Sequence, residues 1–147
     1  MPRPKPHVRA AYPHFLTITT RWMDNDAYGH VNNVVYYSFF DTVVNTFLIE
    51  NGVLDVGASP VIGFAVETGC SYLSPLTYPQ NVVAGLRVAH IGNSSVRYEI
   101  AIFADDSDTA AAQGYFVHVY VDRATQRPVA ALPQGFQRAL ESIRGAG

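Results

Sequence analysis

Cysteine is nearly missing. Cys70 stands alone, so no internal disulfide can form and a reducing compartment is expected. Charge is sparse too, at 15% of residues with a net charge of −2, which gives no reason to expect nucleic acid as a partner. No apolar run approaches the ~20 residues that span a bilayer, and the opening MPRPKPHVRAAYP lacks the apolar core of a signal peptide. The five histidines show no metal-ligand spacing, so no metal is expected. No internal repeat is visible. What is there is a chain of 147 residues, 48% hydrophobic, sufficient for one globular domain with its own core. The expectation is one cytoplasmic domain over residues 1–147, with no membrane partner.

The patterning divides the chain into one long helix among strands. Residues 1–13, proline-rich and carrying Arg3, Lys5 and Arg9, read as an irregular basic arm, poorly ordered at its start. Residues 14–21 are β-branched and aromatic, so a strand is predicted. From Val31 to about Glu50 the composition is strand-like but the spacing is helical: Ser38, Asp41, Thr42 and Asn45 form one polar stripe. The rest of that helix is apolar around most of its circumference and needs a wrapper. Residues 61–74, 81–91, 94–104 and 111–122 supply it as strands separated by short turns, which requires antiparallel neighbours. Pro128–Leu132 extends an edge, and 134–144 makes a short amphipathic helix. The fold class is α+β, an antiparallel sheet curled around one apolar helix.

Between the first strand and the long helix lies the densest chemistry, Asp24-Asn25-Asp26-Ala27-Tyr28-Gly29-His30-Val31-Asn32-Asn33. Asp26 sits in a loop beside backbone N–H groups at a helix start. A carboxylate there can activate water or attack, and the N–H groups can polarise a carbonyl; the pair suits acyl transfer. The bland alternative is a loop or capping acid, since Asp is common before helices.

These residues carry a resemblance. Asp24 to Asn33 fits D-x-D-x-x-G-[HV]-V-x-[NY] without a gap, and Asn33-Val34-Val35-Tyr36-Tyr37 fits the helix start that follows it. Tyr72-Leu73-Ser74-Pro75-Leu76 and Ile91-Gly92-Asn93-Ser94-Ser95 add a strand end and a G-x-S-S hairpin. Over roughly residues 14–122 the chain resembles the hotdog-fold acyl-CoA thioesterases, in particular the 4-hydroxybenzoyl-CoA thioesterase group. The resemblance implies a hotdog fold, hydrolysis of an acyl-CoA to free acid and CoA, and no cofactor, CoA being part of the substrate. It implies a homodimer or homotetramer with active sites at subunit interfaces. It puts the essential carboxylate on Asp26, as nucleophile or general base, and the oxyanion contact on the backbone N–H of Asn33, with Asn32 beside it. Asp24 becomes an accompanying acid. His30 and Asn32-Asn33 replace apolar and aromatic residues of the hydroxybenzoyl-type members, which argues against an aromatic substrate.

Other residues have weaker claims. His30 supports Asp26 or simply bonds the backbone near the helix start. Gly29 permits a turn or close substrate approach, and Tyr28 lines the acyl pocket or lies exposed. Asn93, Ser94 and Ser95, with Arg9, Arg87 and Arg97, would cradle coenzyme A phosphates, against the reading of a hairpin turn with solvated arginines. Glu67 reads as a solvent-facing edge residue, Asp41 as an interface or supporting residue, and His118 as a strand-face residue. Cys70, with no histidine near in sequence, is a poor nucleophile candidate. Two other functions stay open: a hotdog dehydratase, for which His30 near Asp26 is the relevant pair, and a non-catalytic acyl-CoA-binding protein.

Overall fold

A computed structural model describes residues 3–145. In chain order it holds β1 (His14–Thr19), α1 (Val35–Glu50), β2 (Val61–Tyr72), β3 (Asn81–Ile91), β4 (Ser95–Ala104), β5 (Ala110–Asp122) and α2 (Gln134–Glu141). Short 3₁₀ turns occupy Arg9–Ala11 and Trp22–Asp24. The five strands form one antiparallel sheet in the order β1-β3-β4-β5-β2, which leaves β1 and β2 as its edges. Strands β3, β4 and β5 follow one another through short turns and pair as neighbours, as short antiparallel connections require. One sheet packed on one long helix is the expected α+β hotdog arrangement.

The helix buries Tyr36, Phe39, Phe40, Val43, Val44, Phe47 and Leu48, spaced at three and four residues so that they share one face. They pack into the same core as Leu86, Val88, Val96, Tyr98, Ile100, Phe116 and Tyr120 of the sheet. Each such side chain stabilises the fold by about 1.5–3 kcal/mol when fully buried. Gly114 of β5 is what allows α1 and β2 to come this close: a Cβ there would collide with the Gly69 carbonyl, Phe40 and the Cys70 Cα. The sheet covers one side of the helix only. Ser38, Asp41 and Thr42 of the polar stripe are exposed, on the side of the helix turned away from the sheet.

Several boundaries differ from the sequence expectation, each for a local reason. The helix begins at Val35, not Val31, because the preceding backbone is held elsewhere. The Val31 N–H donates to the Leu76 carbonyl (2.8 Å) and the Asn32 N–H to the Asp24 carbonyl (2.8 Å). The Asn32 side-chain oxygen accepts from the Val34 N–H (3.0 Å), a local turn that competes with helix. The last helix ends at Glu141, since residues beyond it bond β3: the Val88 N–H donates to the Ile143 carbonyl and the Gly145 N–H to the Val88 carbonyl (both 2.9 Å). Pro128 makes a single bridge to Val121 rather than a strand.

Strand β2 departs from simple alternation. Its register against β5 shifts between Ala65 and Glu67, and residues 63–68 are exposed on both faces. Glu67 is therefore solvent-facing, but at a bulge and not through an alternating pattern.

The N-terminal arm is tied down from its first described residue. The buried Gln113 side chain donates to the Lys5 carbonyl (3.0 Å) and accepts from the His7 N–H (2.7 Å). The Ala110 N–H donates to the His7 carbonyl (2.9 Å). The expected disorder at the very start concerns Met1 and Pro2, which lie outside the described residues.

Candidate functional site

The two aspartates of the loop are held in opposite ways. Asp24 is buried, at 1% exposure, and accepts three bonds from one residue: the Arg21 N–H (2.7 Å), Nε (3.0 Å) and Nη2 (2.9 Å). Its oxygens are fully engaged in fixing the turn. Asp26 is half-buried, and its bonds shape the loop around it. Its N–H donates to the His30 carbonyl (2.8 Å), its carbonyl accepts from the Gly29 N–H (3.1 Å), and Oδ1 accepts from the Tyr28 N–H (2.8 Å). That tight reversal needs a positive φ at its end, and Gly29 provides it at +81°. Oδ2 of Asp26 has no partner among the described residues.

The loop is anchored from outside by the segment after β2. Asn25 Nδ2 donates to Thr77 Oγ1 (3.2 Å), the Tyr78 N–H donates to Asn25 Oδ1 (3.0 Å), and Thr77 Oγ1 donates to the Gly29 carbonyl (2.8 Å). These contacts link residues about fifty apart in sequence, beyond any local pattern.

Asp26, His30 and Asn33 line one open cleft of about 550 Å³, together with Arg3, Val31, Tyr36, Tyr72 and residues 73–75. Asn33 lies just before α1, and its carbonyl accepts from Tyr72 Oη (2.8 Å). That bond orients the peptide. Among the described residues the Asn33 N–H has no acceptor, because the turn around Asn32 uses the N–H groups on either side of it. A backbone N–H without an acceptor and a carboxylate that line one cleft can divide the work of acyl transfer, the N–H polarising an oxygen while the carboxylate acts on the attached carbon. His30 joins the cleft from an exposed position and meets Asp26 through backbone; its ring has no hydrogen-bond partner among the described residues.

Other expected site residues lie elsewhere. Tyr28 is 87% exposed and does not line this cleft. Gly29 lines an adjoining depression with Trp22, Asn25, Asp26 and Ala27. Asn93 belongs to a separate cleft between the β3–β4 hairpin and α2, lined also by Gln137, Glu141 and Arg144. Ser94 and Ser95 have their carbonyls engaged, accepting from the Tyr120 N–H and the Gly92 N–H (2.7 Å each). Arg9, Arg87 and Arg97 form no common cradle. Arg9 bonds the carbonyls of Ala104, Asp105 and Ser107, Arg87 pairs with Glu99 (2.8 Å), and Arg97 stacks 4.1 Å over Tyr115.

Tyr36 and Tyr72 stand edge to face in the cleft wall, ring centroids 5.1 Å apart. Burial raises the pKa of both hydroxyls, to about 12 for Tyr36, so neither ionises near neutral pH. The sequence marks Tyr36 only as a core residue and Tyr72 only as part of a strand end. Cys70 is half-buried and its thiol is pushed up to about 11 by burial, which leaves it unreactive. His118 faces the core among Tyr98, Phe116 and Tyr120, and burial lowers it to about 4. Among the described residues no cluster of His, Cys, Asp and Glu could hold a metal ion, and no helix is long and apolar enough to cross a membrane.

Solved structures share this fold. The chain is 52% identical to the PA5185 protein of Pseudomonas aeruginosa PAO1, covering 98% of this chain and 99% of that one, with a TM-score of 0.94. A thioesterase from Thermus thermophilus, solved with coenzyme A and Zn, is 26% identical over 90% of this chain and 95% of its own, with a TM-score of 0.74. Slr0204, a 1,4-dihydroxy-2-naphthoyl-CoA thioesterase from Synechocystis, shares the fold at 14% identity, covering 86% of this chain and 93% of that one, with a TM-score of 0.77. Comparison with curated protein sequences returns no significant match. The family model of the thioesterase-like superfamily matches residues 20–140, from the loop that holds Asp26 to α2, and the chain belongs to that superfamily.

Proposed function

We propose that this thioester hydrolase acts on acyl-CoA, with Asp26 as its essential carboxylate and the Asn33 N–H as oxyanion contact. The observation that carries the reading is the shared cleft, lined both by Asp26, a carboxylate with an oxygen unpartnered among the described residues, and by Asn33, whose backbone N–H has no acceptor among them. The coenzyme A bound to the Thermus thermophilus thioesterase supports CoA as the leaving group.

The chemistry follows from the two groups. As a general base, Asp26 takes a proton from water while the water oxygen adds to the thioester carbon; as a nucleophile, its own oxygen adds and forms a mixed anhydride. In both cases negative charge moves onto the carbonyl oxygen, where the Asn33 N–H is worth about 3 kcal/mol. Collapse of the adduct breaks the C–S bond, and the CoA thiolate leaves with little acid assistance. On the nucleophilic route, water then opens the anhydride and regenerates Asp26. Tyr72 contributes by holding the Asn33 peptide in orientation.

The partner is a second copy of the chain. Strand β2 is a sheet edge that exposes Phe64 (42%) and Val66 (58%) beside an uncovered, polar-striped side of α1. An apolar edge strand with free backbone groups is a pairing site, and a symmetric dimer through it would cover these residues.

The test is release of free thiol from a panel of short, long and aromatic acyl-CoAs. Turnover of aliphatic acyl-CoAs, with weak turnover of aromatic ones, is expected. Tight binding of every acyl-CoA with no turnover would instead identify an acyl-CoA-binding protein.

A further inference from the structure

The N-terminal arm carries a cation into the cleft. Arg3 Nη2 donates to the carbonyls of Leu73 (2.8 Å) and Tyr72 (3.2 Å), at the end of β2. The arm reaches this point because Gln113 clamps Lys5 and His7 as a neighbouring strand would, leaving two residues to span to the end of β2. Both bonds run from a single guanidinium nitrogen, so among the described residues Nε and Nη1 of this cleft-lining arginine have no acceptor.

The charge is uncompensated. Among the described residues Arg3 has no carboxylate partner, and among the residues lining the cleft it is the one permanent cation while Asp26 is the one carboxylate. Thioester hydrolysis at Asp26 does not need it, since the oxyanion has a backbone donor and the leaving thiolate needs little help. A planar guanidinium with free parallel donors matches carboxylate and phosphate oxygens. An anionic substrate group would also be repelled by Asp26, and a cation lining the same cleft offsets that repulsion. From this geometry we infer that Arg3 is a specificity-determining residue, which binds an anionic group of the substrate, a carboxylate on the acyl chain or a phosphate of coenzyme A. The inference rests on the thioesterase reading of the same cleft.

Two variants separate charge from anchoring. Arg3→Gln keeps a donor for the two carbonyls and loses the cation; Arg3→Lys keeps the cation. The substrates are hexanoyl-CoA and adipoyl-CoA, equal in length but differing by a terminal carboxylate, and the same two acyl groups on N-acetylcysteamine, which has no phosphate. Arg3→Gln is expected to raise KM at least about tenfold on the anionic partner of Arg3, with a much smaller change in kcat, and Arg3→Lys to recover most of the loss. Loss on both adipoyl thioesters identifies the acyl carboxylate; loss on both CoA thioesters identifies the phosphate. No rise on any substrate, or an equal rise on the uncharged hexanoyl-N-acetylcysteamine, would overturn the inference. If the wild type turns over none of the four, the thioesterase reading fails by itself. Calorimetric Kd values for adipate and free CoA then decide the role of Arg3: a tenfold weakening of either in Arg3→Gln sustains it, and equal values in both proteins reject it.

Discussion

Two aspartates, two positions apart, make opposite predictions when each is changed to asparagine. Asp24→Asn keeps shape but leaves one acceptor oxygen where the carboxylate used two to hold the Arg21 N–H and guanidinium. The amide NH₂ then faces a donor in a site with 1% exposure, and a buried unsatisfied donor costs about 1–3 kcal/mol. The lost ion pair adds little, because the Arg21 side chain is 63% exposed and returns to water, so up to about 1 kcal/mol is appropriate. Together these give a loss of roughly 1–4 kcal/mol, or about 3–12 °C in Tm for a domain of this size. Asp26→Asn is different. Its amide oxygen can still accept from the Tyr28 N–H, and the site is half-exposed, so the change should stay within about 0.5 kcal/mol and 1–2 °C. Thermal and urea unfolding of both variants beside wild type is the assay. Equal losses in the two would refute the reasoning, since Asp26 would then be a structural loop acid like Asp24.

His118 is held at about 4, below its ordinary 6.5, so stability is full above pH 6.5 and is lost by up to about 3 kcal/mol as pH falls towards 4; urea unfolding of His118→Phe should show a shallower loss between pH 7 and 4.5, and an unchanged slope would contradict the assignment. Cys70, with its thiol near 11, should alkylate at least about tenfold more slowly than free cysteine at pH 7.5, and Cys70→Ala should retain hydrolysis; rapid inactivation by iodoacetamide would revive it as a nucleophile. If the chain pairs through β2 as proposed, the wild type sediments as a dimer and Val66→Lys as the 16.1 kDa single chain; a monomeric wild type, or a dimer that Val66→Lys leaves intact, would contradict that pairing.

The parts legible in the sequence were those carried by local periodicity. The β-branched alternation in residues 95–104 and the polar stripe from Ser38 to Asn45 each report a single element's buried and exposed faces, and the strands and helix fall there. Competition between local structures was harder to read: Asn32 uses its side chain to hold a turn and delays the helix by four residues. The bulge beside Glu67 has no composition of its own and shows only in the pairing register.

In the site, Asp26, His30 and Asn33 were legible because one loop carries all three. Tyr72 and Arg3 were not, since they reach the cleft through bonds spanning 39 and about 70 positions. Local composition also could not separate the roles of Asp24 and Asp26. A signal was available: Arg21 lies three residues before Asp24, the spacing of an ion pair within one turn. The hairpin at Asn93 matched a motif, yet it stands over a different cleft in the single chain.

The central claim is that Asp26 performs the chemistry, and single-turnover thiol release from a saturating aliphatic acyl-CoA, wild type beside Asp26→Asn, tests it most directly. The expected result is a fall in rate of at least about a hundredfold with acyl-CoA affinity and Tm nearly unchanged. Equal rates at saturation would contradict it and remove Asp26 from the mechanism.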